Sequence, residues 1–224
     1  RVVIAIIASL TSMLLPALGT ARSMAKTISC VNNQKQIGGA ICFYQNDNND
    51  FNPPVNRTGD SRIWTYAYDA KYSWAQDPDM WAALYLHTKY PSDLGQNGVL
   101  FKSILVCPSA PPLPRYSGAS NYGYSIEVGG ALSGSLATWY PARKANQIKK
   151  PTIVYTLADL KDPYPANAQD ARNFVISEYY SRVLNRDNLS YRHNTGFIND
   201  LLFDGHVATE KRYLFKDLEY WARY

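Results

Sequence analysis

The chain has 224 residues, with 23 basic and 18 acidic side chains and a net charge of +5. Charged residues make up 18% and apolar residues 46%, which excludes a chain disordered throughout. Three cysteines with no Cys-x-x-Cys pair exclude a disulfide-dense scaffold and argue against a zinc ribbon or a c-type haem protein.

Residues Val2 to Leu18 read VVIAIIASLTSMLLPAL, and no charge occurs between Arg1 and Arg22. The only polar side chains of the run are Ser9, Thr11 and Ser12. The mean hydropathy of −0.31 therefore averages an apolar head with a polar body. A run of 17 residues sits at the lower edge of the about 20 that span a bilayer. A signal-like segment and a buried core helix are the competing readings. The run is apolar on every side and helical periodicity continues past it, so a membrane-inserted helix fits best. Pro16 removes one backbone donor and is expected to kink it.

From residue 21 the pattern turns amphipathic. Ala21, Met24, Ala25, Ile28 and Val31 form one stripe. Ile37, Ala40, Ile41 and Tyr44 form a second, roughly half a turn away at about 100° per residue. The change of face near Gly38-Gly39 has two explanations. The helix bends there, or the first stripe meets other subunits and the second meets the chain's own body.

Residues 46–61 (NDNNDFNPPVNRTGDS) form a loop by composition. Asp47 and Asp50 are candidate calcium ligands, but no glutamate completes an EF-hand pattern, and a plain solvated loop explains them better. Residues 63–90 are rich in aromatic side chains, with a short helix predicted over Asp77–His87. The stretch 107–118 is a proline-rich connection. Strands are predicted over Tyr122–Val128, Ile153–Ala158, Gly196–Phe203 and His206–Glu210. Asp204-Gly205 between the last two predicts a two-residue hairpin of type I′. The end, Lys211–Tyr224, reads as a short basic helix or an ordered tail. The fold class is α+β: a long N-terminal helix over residues 1–46, packed on a small antiparallel sheet within a globular region, 47–224.

VVIAIIASLTSMLLPAL followed by ARSMAKTISCVNNQKQIG resembles the N-terminal helix of type IV pilin-like proteins. More narrowly, RHNTGFINDLLFDGHV resembles the C-terminal signature of a bacterial pseudopilin-like family, a His, nine residues, then Asp-Gly. His193 supplies the histidine, and Asp204, Gly205 and His206 supply the end. Here ten residues separate His193 from Asp204, an excess that a β-bulge can absorb. Cys107-Pro108-Ser109 and the segment from Pro151 to Asp159 are similar to the family's middle section. In that family a Phe starts the helix and a Glu follows a few positions later. Neither is present, and Arg1 stands where an apolar residue is expected, so the Glu's pairing role falls on no position here.

The resemblance implies a membrane-anchored precursor of the bacterial cell envelope, processed by a prepilin peptidase and then assembled with identical subunits into an extracellular or periplasmic filament. Val2, Val3, Ile4, Ile6, Ile7, Leu10, Leu14, Leu15 and Leu18, with Pro16 among them, are the expected filament-core residues. Screw-related packing of this kind is heterologous and need not close.

His193, Asp204 and His206, with Asp159 as a third or fourth group, also invite a zinc or catalytic reading. Structural roles explain them better, so no catalytic, metal or cofactor residue is assigned. On an ideal helix Cys30 faces with Ile37, Ile41 and Tyr44 while Cys42 does not, which makes Cys30–Cys107 the favoured disulfide, with free thiols as the alternative. The 18 tyrosines suit a Tyr-rich core and sheet surface better than a sticky filament lining. No clustered basic run accompanies the positive charge, so nucleic acid is not an expected partner. The Asn56-Arg57-Thr58 and Asn188-Leu189-Ser190 sequons are of a kind common by chance. The leading expectation is a non-enzymatic filament subunit. A minor pseudopilin of a type II secretion-like system and a membrane-anchored metal-binding or enzymatic envelope protein are the alternatives.

Overall fold

The computed structural model describes residues 2–54, 85–86, 104–110, 121–130, 143–160, 175–176, 189–194 and 196–211. One helix, α1, runs unbroken over Val2–Asp47 with Pro16 inside it. Thr20 turns its hydroxyl back to the Pro16 carbonyl at 3.1 Å. The helix ends where Asn49 and Asp50 take φ of 54° and 65°, a conformation their short polar side chains tolerate. The Asp50 amide then donates to the Gln45 carbonyl at 2.9 Å.

The rest of the described fold is a sheet. The strands are β1 (Tyr122–Ser125), β2 (Tyr155–Asp159), β3 (Val175–Ile176), β4 (Phe197–Leu202) and β5 (Val207–Lys211), in the order β3-β1-β2-β4-β5. Four strands pair antiparallel, and the two-residue β3 adds to β1 in parallel. The arrangement is α+β, as the sequence predicts. All four predicted strands differ from expectation in their bounds, the third only by losing one residue at each end. The first stops at Ser125, where the chain turns into a one-turn helix, α2 (Ile126–Gly129). The second starts later, at Tyr155, and the last is shifted to Val207–Lys211.

The β4–β5 turn is not the type I′ hairpin. Only Gly205 has positive φ (88°), and Leu202 N–H donates to the His206 carbonyl at 2.9 Å, so the loop has three residues and closes on a left-handed glycine. The bulge also lies elsewhere than expected. β4 pairs with β5 without a slip, whereas β2 carries the extra residue between Tyr155 and Leu157.

Two apolar clusters flank the sheet. In one, Ile37, Ala40 and Ile41 of α1 pack with Tyr122, Tyr124, Leu157 and Leu201. Tyr155, Ala158, Leu160, Leu189, Ile198 and Leu202 form the other. The second predicted stripe of α1 is thus the one that meets the body, while Met24 and Ile28 of the first stay more than half exposed. The buried face does not begin at Ile37, however. It comprises Thr27, Cys30, Gln34, Ile37, Gly38, Ala40 and Ile41. Gly38 lets the helix axis approach β4, since a Cβ there would lie 3.1 Å from Leu201 Cδ1. Gln34 Nε2 donates to the Asn199 carbonyl at 2.8 Å and Asn33 Nδ2 to the Val106 carbonyl at 3.1 Å.

Residues 2–26 of α1 are all exposed. The helix is long and apolar enough to cross a membrane. Of the helix predicted over Asp77–His87, Tyr85 and Leu86 are helical, and the remainder lies outside the described residues. So do most of the aromatic-rich segment, Asn56, Asn188 and residues 212–224.

Candidate metal centre

Four side chains from four separate segments converge beneath α1: Cys30 from the helix, Cys107 from the 104–110 turn, Asp159 at the end of β2, and His193. All four are buried, and their ligand atoms lie within 4.8 Å of one another. Local structure explains each placement. Cys30 follows Thr27 by one turn on the buried face. The Cys107 amide is held by Asn121 Oδ1 at 3.1 Å, just before β1. Asp159 pairs with Tyr122 across β1–β2, and its Oδ2 accepts from the Asn199 amide at 3.3 Å. His193 exchanges two backbone hydrogen bonds with Phe197, and Asn194 (φ 40°) and Gly196 (φ 113°) supply the tight reversal between them.

His193 Nε2 lies 2.9 Å from Asp159 Oδ2 and 3.5 Å from Cys107 Sγ. Cys30 Sγ donates to Asp159 Oδ1 at 3.6 Å and accepts from the Tyr122 hydroxyl at 3.4 Å. On the far side of the ring, Nδ1 lies 3.3 Å from Thr27 Oγ1. The Thr27 hydroxyl proton is directed to the Ser23 carbonyl at 3.1 Å. Its oxygen is then the acceptor and Nδ1 carries the proton.

The electrostatics follow from these contacts. The neighbouring Cys107 sulfur, burial, and the Asp159 charge together hold the Cys30 thiol well above its ordinary value. The neighbouring Cys30 thiol outweighs burial at Cys107 and, with His193, lowers it to about 6. Burial opposes protonation of His193, but the hydrogen bonds to Asp159 and Cys107 prevail and raise it to about 9.

This is not a nucleophilic triad. A Cys–His–Asp relay needs the carboxylate on the imidazole nitrogen opposite the sulfur. Here Asp159 and Cys107 share Nε2, and Thr27 holds Nδ1. The groups converge on one point rather than form a line, and none is open to solvent.

The sequence reading named all four residues but never together. It paired Cys30 with Cys107, and His193 with Asp159, Asp204 and His206. Asp204 and His206 instead form their own exposed pair at 2.6 Å on the β4–β5 turn. The expected Cys30–Cys107 disulfide is not formed: all three cysteines are free thiols, and the two buried sulfurs each face a polar partner. The supporting residues Thr27, Asn121, Tyr122 and Asn199 were missed. The signal for Thr27 was its i, i+3 spacing to Cys30. Asp47 and Asp50, the calcium candidates, do not belong to any ligand cluster among the described residues. Asp47 instead accepts from the Tyr85 hydroxyl at 2.7 Å.

Comparison with protein-family models, with curated proteins and with solved structures finds no match for this chain.

Proposed function

We propose that the protein is a structural, non-enzymatic subunit of a pilus-like filament of the bacterial cell envelope, held in the membrane by α1 before assembly. One observation carries this reading. A single helix leaves all of its first 25 described residues exposed while the same helix continues into the core of the body. Val2, Ile4, Leu14, Leu15 and Leu18 are each about two-thirds exposed or more. Taking a large aliphatic side chain out of water is worth roughly 1.5–3 kcal/mol, so such a surface stays in lipid or against protein. An all-round apolar helix satisfies both sites: it rests in the bilayer and then packs with identical helices. Transfer from lipid to a helix bundle never exposes it to water.

The test is negative-stain electron microscopy of the expressed protein, with and without Ile6→Asp. The wild type is expected to form long uniform fibres. The variant is expected to keep a folded body and form none, because a carboxylate in a packed apolar bundle is left unpaired. Normal fibres from Ile6→Asp would defeat the reading.

A further inference from the structure

We propose that Cys30, Cys107, Asp159 and His193 form a closed, four-coordinate structural site for a divalent zinc ion, which clamps α1 to the sheet. The site goes beyond the filament reading and stands without it.

The geometry is that of a ligand shell. With zinc–sulfur bonds of about 2.3 Å and zinc–nitrogen or zinc–oxygen bonds of about 2.0–2.2 Å, a tetrahedral site has sulfur-to-nitrogen and sulfur-to-oxygen edges of about 3.5–3.6 Å. The Cys107–His193 and Cys30–Asp159 separations are 3.5 and 3.6 Å. The Asp159–His193 separation of 2.9 Å is shorter than the about 3.3 Å such a shell sets, as suits two groups sharing a proton that a metal replaces. The donor set is two thiolates, one imidazole and one carboxylate, which selects zinc over the hard cations magnesium and calcium.

The surroundings fit as well. Thr27 holds Nδ1 and leaves Nε2 to the ion, Asn199 N–H orients Asp159, and Tyr122 supports the Cys30 sulfur. Metal-bound imidazoles and carboxylates are oriented by such partners. Burial supplies the remaining argument. Two thiols, an imidazole and a carboxylate are withdrawn from water together, at a desolvation cost that a cation offsets. Binding releases to solvent the protons held on the two sulfurs and on His193 Nε2, because a metal takes these ligands as thiolates and neutral imidazole. The ligands become two thiolates, neutral His193 and the Asp159 carboxylate, and with Zn²⁺ the site carries a net charge of −1. No fifth group or open position is present among the described residues, so the site is structural rather than catalytic.

The test uses the full chain in detergent, purified under reducing conditions and stripped with a chelator. It is titrated with zinc followed by native mass spectrometry, and with cobalt followed by absorption. Expected are one zinc per chain, the visible bands of tetrahedral cobalt, and a thiolate-to-cobalt charge-transfer band. In the zinc-loaded chain only Cys42 should alkylate rapidly, and chelation should expose Cys30 and Cys107. Cys42→Ser is expected to leave binding unchanged, Cys107→Ser to remove about half the charge-transfer intensity, and Thr27→Val to weaken zinc binding about 10–100-fold. The wild-type cobalt spectrum keeps the test decisive even where a variant fails to fold. Absence of stoichiometric zinc, a cobalt spectrum without the charge-transfer band, or a native Cys30–Cys107 disulfide by intact mass would each overturn the proposal.

Discussion

Gly38 and Gly39 are adjacent in the same helix, yet the structure predicts opposite responses to the same substitution. Replacing glycine by alanine in a helix interior gains about 1 kcal/mol of propensity at either position. At Gly39 nothing lies within 4 Å of the new methyl group, so the whole gain should appear. At Gly38 the methyl would sit 3.1 and 3.3 Å from the two δ carbons of Leu201. Comfortable carbon–carbon contact is about 3.5–4.0 Å. Leu201 is 1% exposed and caught between the helix and the sheet, so it cannot swing away. Overpacking of this kind costs about 1–3 kcal/mol, which cancels or exceeds the propensity gain. The two variants should therefore differ by about 1–3 kcal/mol in denaturant unfolding of the full chain in detergent. The gap should shrink in a Leu201→Ala background, because the obstructing δ carbons are gone. If Gly38→Ala stabilises as much as Gly39→Ala, α1 does not lie on β4 as described.

Two further predictions rest on the sheet. Asp200 is buried, and both its carboxylate oxygens lack a hydrogen-bond partner among the described residues. Burial, then the charges of Asp159 and Glu210, raise its proton affinity well above that of an ordinary carboxylate. Its contribution to stability is thus fully present below the ordinary carboxylate range and is lost as pH rises through the higher folded-state value. Asp200→Asn should flatten that decline in unfolding measured from acid to neutral pH, and an unchanged slope would count against a raised Asp200. At Gly129 an added Cβ would lie 2.5 Å from the Pro53 carbonyl oxygen and 2.5 Å from Tyr124 Cε1. Gly129→Ala should therefore cost about 1–3 kcal/mol in thermal or denaturant unfolding, and a neutral effect would mean that the 50–54 segment does not pack on α2.

Periodicity made the coarse fold legible. Short strand-prone runs separated by turn residues marked β1, β2, β4 and β5, and the Asn-Asp cluster after residue 46 marked the end of α1 within a residue or two. β3 was not visible because two residues carry no period. The strand expected to reach Val128 ends at Ser125, where the chain turns into α2, and the close approach of Gly129 to Pro53 and Tyr124 at its end is a contact that only tertiary structure creates. The turn type was misread because Asp-Gly suits both a two-residue I′ turn and a longer loop ending on a left-handed glycine. The site was legible residue by residue and not as a unit. Hydrophobic patterning detects apolar stripes, and beside Cys30 the first part of the buried face is Thr27 and Gln34, polar side chains that such patterning treats as exposed. Nothing in sequence spacing brings together ligands at positions 30, 107, 159 and 193, because the β1–β2–β4 pairing order assembles them.

The polarity of that face bears on how the two halves of α1 are joined. Between Thr27 and Gln34 the helix buries no large aliphatic side chain, and apolar burial starts at Ile37. At roughly 25 cal/mol per Å² of apolar surface, the hydrophobic contribution to docking is therefore concentrated in the last three turns. The turns nearest the exposed segment depend instead on hydrogen bonds, each worth only about 0.5–1.5 kcal/mol net. These are Thr27 to His193, Cys30 to Asp159 and Tyr122, and Gln34 to Asn199. In a filament any load passing from the packed helices to the body crosses this same stretch first. A seam of weak polar contacts would peel one bond at a time. A shared ion bonded at once to the helix, to β2 and to the segments at 107 and 193 must lose a ligand before the helix can separate. The cluster lies at the junction where apolar packing alone gives the least resistance, and that is where a clamp contributes most.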